Sequence, residues 1–230
     1  LWQGVSDPYL YTMNVSILNA DGQVLDSEDQ QFGVRVFEIK DGKSYLNGEE
    51  YEIHGVGYHQ DREGYGNAAG RAQKEDDVKL MLEMGVNAVR TAHYPHDQYV
   101  YELMDENGLL VYNEIPYYLL LSKAESYQSS VTEQLKEMIR QGYNHPSIVM
   151  WGMNNEVKAS KEFANFGEDF DVDSETLIAF NKKVAELAQE EDKTRYIVQA
   201  TIDNTTNAVD SAEWTKDGRV DYTGLNLYVG

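Results

Sequence analysis

An amide next to a carboxylate, Asn155-Glu156, follows the apolar run Ile148-Val149-Met150-Trp151 and the short segment Gly152-Met153-Asn154. Such a run reads as a short buried strand. In a parallel α/β protein, the C-terminal strand ends open onto the ligand crevice. A Glu delivered there can protonate a departing oxygen, and the Asn beside it can hydrogen-bond a hydroxyl. A sugar-cleaving site asks this of its proton donor. The same pair also suits a Glu that caps the next helix or pairs with a Lys, and the spacing alone weighs the two evenly.

Other residues sit at equivalent places. His59 follows the first expected strand of the repeating region and His93 the second, and two imidazoles on adjacent strand ends can bind hydroxyls or stabilise charge. Arg90 lies inside a strand; buried there it must be paired, and Glu114 and Glu156 are the candidates. Glu114 ends the third strand, and Tyr228 ends the sixth as a rim aromatic. Asp61 suits substrate contact or loop pairing. Tyr117-Tyr118 offers rings that can stack on a sugar, whereas Trp151 reads as core. His93 and His96 form an H-x-x-H pair, but Pro95 breaks the helix that would put both on one face, so no metal is expected there.

Several elements must position these groups. Tyr9, Tyr11, Met13, Val15 and Ile17 alternate along one half-buried strand. A second strand is expected over 31–36, where Phe32, Val34 and Val36 alternate with polar residues and Gly33. Two strands make no stable sheet alone, so residues 1–38 read as the end of an all-β domain. Asn47-Gly48 is a hairpin signal joining Tyr45-Leu46 to 51–53. Strands are then expected at 53–58, 88–91, 109–112, 148–151, 197–201 and 222–229. Helices are expected at 75–84, 99–106, 130–143 and 174–191, the last with Ser174 as N-cap. This alternation implies a parallel sheet: six strands of a (β/α)8 barrel over 39–230, two short of closure. An open doubly wound sheet is disfavoured, because no Gly-rich phosphate loop follows the first strand.

The 230 residues carry 40 acidic and 19 basic side chains, a formal charge of −21. Nucleic acid and anionic membranes select basic patches, so neither is an expected partner. The absence of cysteine excludes disulfides, thiolate metal sites and a Cys nucleophile. No apolar stretch has membrane-spanning length. Leu1-Trp2-Gln3-Gly4 resembles no signal peptide and lacks an initiator Met, so the chain reads as a piece of a longer polypeptide; a cytoplasmic location is the expectation, with secretion left open.

Five ordered blocks cover nearly the whole chain: Asp7-Pro8-Tyr9-Leu10-Tyr11, Phe32-Gly33-Val34-Arg35, Leu46-Asn47-Gly48 through His54 to Asp61, Met84-Gly85-Val86-Asn87 through Arg90 to Pro95, and Asn144 to Glu156. Together they resemble glycoside hydrolase family 2, the β-galactosidase and β-glucuronidase family. The resemblance implies an incomplete TIM barrel preceded by the last strands of an immunoglobulin-like sandwich. It implies hydrolysis of a small-molecule glycoside by a retaining double displacement, with Glu156 as acid/base. The nucleophile would be a second Glu, ending a seventh strand beyond Gly230, so the piece alone is expected to be inactive. Arg90 and Tyr228 would contact that nucleophile, Glu114 would lie near the site, and His59, His93 and Asn155 would support it. Asp61 matches a position of one bacterial branch. No cofactor is expected: the Mg²⁺ of some β-galactosidases needs a Glu and a His after strand three, and residues 115–121 offer neither. Gly57 to Arg62 and Asn155-Glu156-Val157 resemble β-galactosidases more than β-glucuronidases. A β-glucuronidase, a β-mannosidase and a non-catalytic carbohydrate-binding piece stand as alternatives, and homo-oligomerisation of the full-length enzyme is left open.

Overall fold

Six parallel strands, each paired only with its neighbours in the sequence, form the sheet that carries the site. The structure, a computed structural model, describes residues 1–158, 165–202 and 220–226. The chain opens on an antiparallel ribbon of β1 (Tyr11–Leu18) and β2 (Val24–Phe32), with Tyr11 opposite Phe32 and Val15 opposite Glu28. The second strand thus precedes the expected 31–36 segment. Its sequence is polar and its ladder with β1 holds it, while residues 33–36 leave the ribbon to reach the barrel. The apolar face of β1 is also more open than its alternation suggests: Tyr11, Met13, Val15 and Ile17 are 43–60 % exposed, because no described element packs over them.

Three short antiparallel strands, β3 (Phe37–Lys40), β4 (Lys43–Leu46) and β5 (Glu49–Glu50), follow. Asp41-Gly42 and Asn47-Gly48 turn between them, all four residues at positive φ, as tight hairpins require. β3 has no counterpart among the expected elements, although Asp41-Gly42 is as strong a turn signal as Asn47-Gly48. Phe37 and Leu46 from this sheet pack with Trp2, Leu110 and Val149, the last two at the N-terminal ends of barrel strands. The small sheet therefore floors the barrel.

The barrel strands are β6 (Gly55–Tyr58), β7 (Ala88–Thr91), β8 (Leu110–Glu114), β9 (Ile148–Asn155), β10 (Tyr196–Ile202) and β11 (Tyr222–Asn226), in that spatial order. A doubly wound sheet reverses direction at a switch point; this one does not. It also curls. Arg90 on β7 hydrogen-bonds Asn226 on β11, four strands away. Flat, that separation would be about 19 Å at ordinary strand spacing, far beyond an arginine's reach.

Outside lie α1 (Arg71–Glu83), α2 (Gln98–Asn107), α3 (Glu125–Gly142) and α4 (Ser174–Glu191). α1 and α3 begin four and five residues earlier than their apolar stripes indicate, since first turns of a helix need no apolar face. α4 has the expected bounds, but Asp173 rather than Ser174 caps it, accepting from the Thr176 N–H at 2.7 Å. Gly108 in the left-handed conformation ends α2. Leu135, Ile139, Val184 and Ala188 bury the helices against Ile148, Trp151 and Ile197. No described helix is long and apolar enough to cross a membrane.

Gly152 faces the barrel interior beside Tyr112 and Glu114. A Cβ there would stand 2.5 Å from the Tyr112 ring and 2.6 Å from Glu114 Cγ. Gly152→Ala should therefore lower unfolding stability by about 1–3 kcal/mol. A urea denaturation midpoint that does not move would contradict this packing.

Candidate active site

The buried centre of the site is Glu114, fully enclosed at the end of β8. Its Oε1 accepts from Arg90 Nε at 2.6 Å, and its Oε2 lies 2.7 Å from His93 Nδ1. A carboxylate acceptor fixes the proton of His93 on Nδ1 and turns Nε2 away from it. Arg90 donates twice more, to Asn155 Oδ1 at 2.7 Å and to Asn226 Oδ1 at 2.9 Å. Its guanidinium also lies 5.2 Å from the centroid of the Tyr112 ring below it. One planar cation thus joins β7 to β8, β9 and β11, using the fork geometry that lysine lacks.

Asn226 carries the network onward. Its Nδ2 donates to Asn155 Oδ1 at 2.8 Å and to Glu156 Oε1 at 2.7 Å. Glu156 is 8 % exposed, and its backbone takes a left-handed φ of 55° just after β9, where its N–H donates to the Ala200 carbonyl at 2.8 Å. That conformation costs a non-glycine residue free energy. It bends the chain off the strand, so that the carboxyl meets Asn226 over the barrel's mouth instead of continuing the alternation of β9.

The structure therefore brings Glu114, Arg90, His93, Asn155 and Glu156 into one hydrogen-bonded cluster. Of the two partners weighed for Arg90, Glu114 is the one bonded directly, and Glu156 is reached through Asn226. His59 stands beside the cluster, edge-on to His93 at 5.6 Å between ring centroids, with Nδ1 3.3 Å from the Tyr94 hydroxyl. Asp61 is exposed on the same loop, and its charge helps raise the pKa of Tyr94, after burial of that hydroxyl. Tyr228 lies outside the described residues. Tyr117 is buried and donates to Asn181 Oδ1 at 2.9 Å, whereas Tyr118 is 49 % exposed. Trp151 is core, with its Nε1 donating to Asp192.

Asn226 is the site residue that sequence reasoning passes over. Its signal was a polar residue directly after Leu225, at a strand end equivalent to that of Asn155. The strand is expected over 222–229, of which 227–229 lie outside the described residues, and that places Asn226 inside the strand rather than at its end.

Comparison with known proteins places this geometry. Residues 37–217 match the model for the TIM barrel domain of glycosyl hydrolases family 2, and residues 1–35 match a second model of glycosyl hydrolases family 2. A β-glucuronidase of Bacteroides fragilis is 39 % identical over 209 residues, covering 87 % of this chain and 28 % of that protein. A β-galactosidase of Psychromonas ingrahamii is 38 % identical over 162 residues, covering 67 % of this chain and 16 % of its own length. The crystal structure of a Bacteroides uniformis β-glucuronidase superposes with a TM-score of 0.85 at 30 % identity, over 99 % of this chain and 27 % of that one. The chain spans about a quarter of the length of the curated relatives it resembles.

Behind His59 lies His96, buried between the rings of Tyr58 and Tyr94, each 5.1 Å away. Neither ring nitrogen has a hydrogen-bond partner among the described residues; the Ala92 carbonyl favours protonation but makes no aligned bond. Burial pushes the imidazole down from 6.5 to about 4, and the nearby His59 and Lys74 add to this. An unfolded chain takes up this proton near pH 6.5 and the folded one only near pH 4. Stability from the neutral ring is thus whole above pH 6.5 and lost as pH falls towards 4, on the order of 3 kcal/mol in all. In His96→Phe the acid side of the stability–pH curve should flatten over that window. An unchanged slope in chemical denaturation at pH 4.5 and 7 would contradict it.

Proposed function

The chain belongs to glycosyl hydrolase family 2, and from that premise we propose that the protein carrying it is a retaining β-glycosidase with Glu156 as its acid/base residue. The observation that carries this is the hydrogen bond from Asn226 to Glu156 Oε1, which holds the carboxyl over the barrel mouth beside Asn155. In the first displacement Glu156 protonates the glycosidic oxygen as a carboxylate of the enzyme attacks the anomeric carbon. In the second, Glu156 removes a proton from water, whose oxygen displaces that carboxylate. Glu114 is not that nucleophile: it is fully buried with both oxygens engaged. We assign the nucleophile to a carboxylate outside the described residues.

Asn155 turns its Oδ1 inward to Arg90 and Asn226, which leaves Nδ2 to donate to a sugar hydroxyl. His93, held by Glu114, presents Nε2, and His59 and Asp61 line the same rim. Tyr228, two residues along the sequence from Asn226, is proposed to contact the nucleophile. The division between sandwich and barrel falls near residue 38. No step needs a metal.

For the sugar, we favour a neutral β-D-galactoside. Arg90 is already neutralised by Glu114, Asp61 places a negative charge at the rim, and the formal charge of −21 disfavours an anionic substrate. A β-glucuronide is the second reading, supported by the 39 % identity to a β-glucuronidase.

Two measurements on the whole protein test this. Rates on p-nitrophenyl β-D-galactoside and p-nitrophenyl β-D-glucuronide should favour the galactoside; the reverse order would move the assignment to the second reading. Glu156→Gln should cost roughly 10²- to 10⁴-fold in kcat/KM on a methyl glycoside, whose leaving group needs a proton. It should cost far less on a dinitrophenyl glycoside, which departs without one. Equal losses on both would remove Glu156 from the proton-donor role.

A further inference from the structure

Tyr117 and Tyr118 are adjacent in sequence and opposite in fate. Tyr117 is buried, edge-on to Phe180 at 5.7 Å, and its hydroxyl donates to Asn181. Tyr118 stands at the mouth, 49 % exposed. Its ring is tilted 30° from that of His93, with 6.5 Å between centroids. His93 continues to His59 and His59 to Tyr94, at 5.6 and 5.8 Å. Four rings thus form one wall across the ends of β6 to β9, with Tyr118 at the β9 end.

That end is where the proton is delivered. Tyr118 pairs in parallel fashion with Asn155, the residue before Glu156. The Asn155 N–H donates to the Tyr117 carbonyl at 2.9 Å, and the Leu119 N–H to the Asn155 carbonyl at 3.0 Å. The Tyr127 hydroxyl donates to the Leu120 carbonyl at 3.0 Å and pins the segment from its other side. The backbone under Tyr118 is therefore registered to the backbone that aims Glu156. A leaving group must lie within hydrogen-bond reach of its proton donor. The half-exposed ring anchored next to that donor is the surface such a group meets.

We propose that Tyr118 is a specificity-determining residue for the leaving group, stacking on the aromatic or sugar ring attached to the oxygen that Glu156 protonates. The inference rests on the glycosidase reading above and adds to it a preference: planar or ring-shaped aglycones over small alkyl ones. Because the platform is held by main-chain hydrogen bonds before ligand arrives, little ordering opposes the stacking. The tyrosine hydroxyl is not needed for it.

Binding without turnover tests this in the whole protein. Dissociation constants for phenyl and methyl 1-thio-β-D-galactosides, and for the matching thioglucuronides, would be measured by calorimetry. The wild type should bind the phenyl compound of its preferred sugar about five- to tenfold more tightly than the methyl one. Tyr118→Ala should abolish that advantage while the methyl affinity stays put, which also reports that the variant is folded. Tyr118→Phe should keep the advantage. A phenyl preference that survives in Tyr118→Ala, or is lost in Tyr118→Phe, overturns the proposal and leaves the glycosidase reading standing. A wild type that binds none of the four compounds overturns both.

Discussion

The guanidinium of Arg90 is the constraint on which the site depends. It is a partly buried cation at the centre of a curling sheet, and its three donors reach three different strands. A buried arginine without partners is strongly unfavourable, so the strands that supply Glu114, Asn155 and Asn226 are held where the fork can reach them. The curvature of the sheet and the placement of the polar cluster are one arrangement seen twice. Glu114 gains from the same arrangement: its charge is compensated by Arg90 on one oxygen and by the His93 N–H on the other. Its burial is tolerable for that reason.

The opposite end of the barrel is tied just as firmly. Arg35 donates from Nε to the Pro146 carbonyl and also reaches the Ile148 carbonyl. Burial lowers its pKa to about 10, which leaves it charged at neutral pH. Arg195 donates to the Ile148 and Tyr143 carbonyls while paired with Asp192. Asp105 accepts from the Ser147 N–H and pairs with His145. The loop that launches β9 is therefore fixed by side chains from the ribbon's exit, from α2 and from the start of β10. A strand fixed at its base delivers Asn155 and Glu156 at its top in one register, which is how residues far from the chemistry set its geometry.

Much of this was legible in the sequence because local patterns and tertiary demands agree. Helix stripes such as Val131, Leu135, Met138 and Ile139 appear where the core needs them, and Ala88–Thr91 is a strand with the bounds its apolar run suggests. Polar residues at strand ends marked Glu156, Glu114, His59 and His93 as candidates. The sequence pattern is silent where polar residues form structure through pairing alone: β2 is held by its ladder with β1, and β3 by a short hairpin. The first turns of α1 and α3 lack an apolar face and so lack a signal. Asn226 was hidden because a lone asparagine within an expected strand carries no local mark of the partners it meets.

Periodicity and strand-end chemistry in the chain determined the class of fold, the winding order and the residues able to move a proton, because each depends on a few neighbouring positions. Which carboxylate is sealed and which opens to the mouth was decided only in three dimensions. Glu114 and Glu156 each follow an asparagine at a strand end, and nothing local separates them. The difference lies in what the curled sheet brings from elsewhere: Arg90 and His93 close over the first, and Asn226 from two strands away holds the second at the mouth.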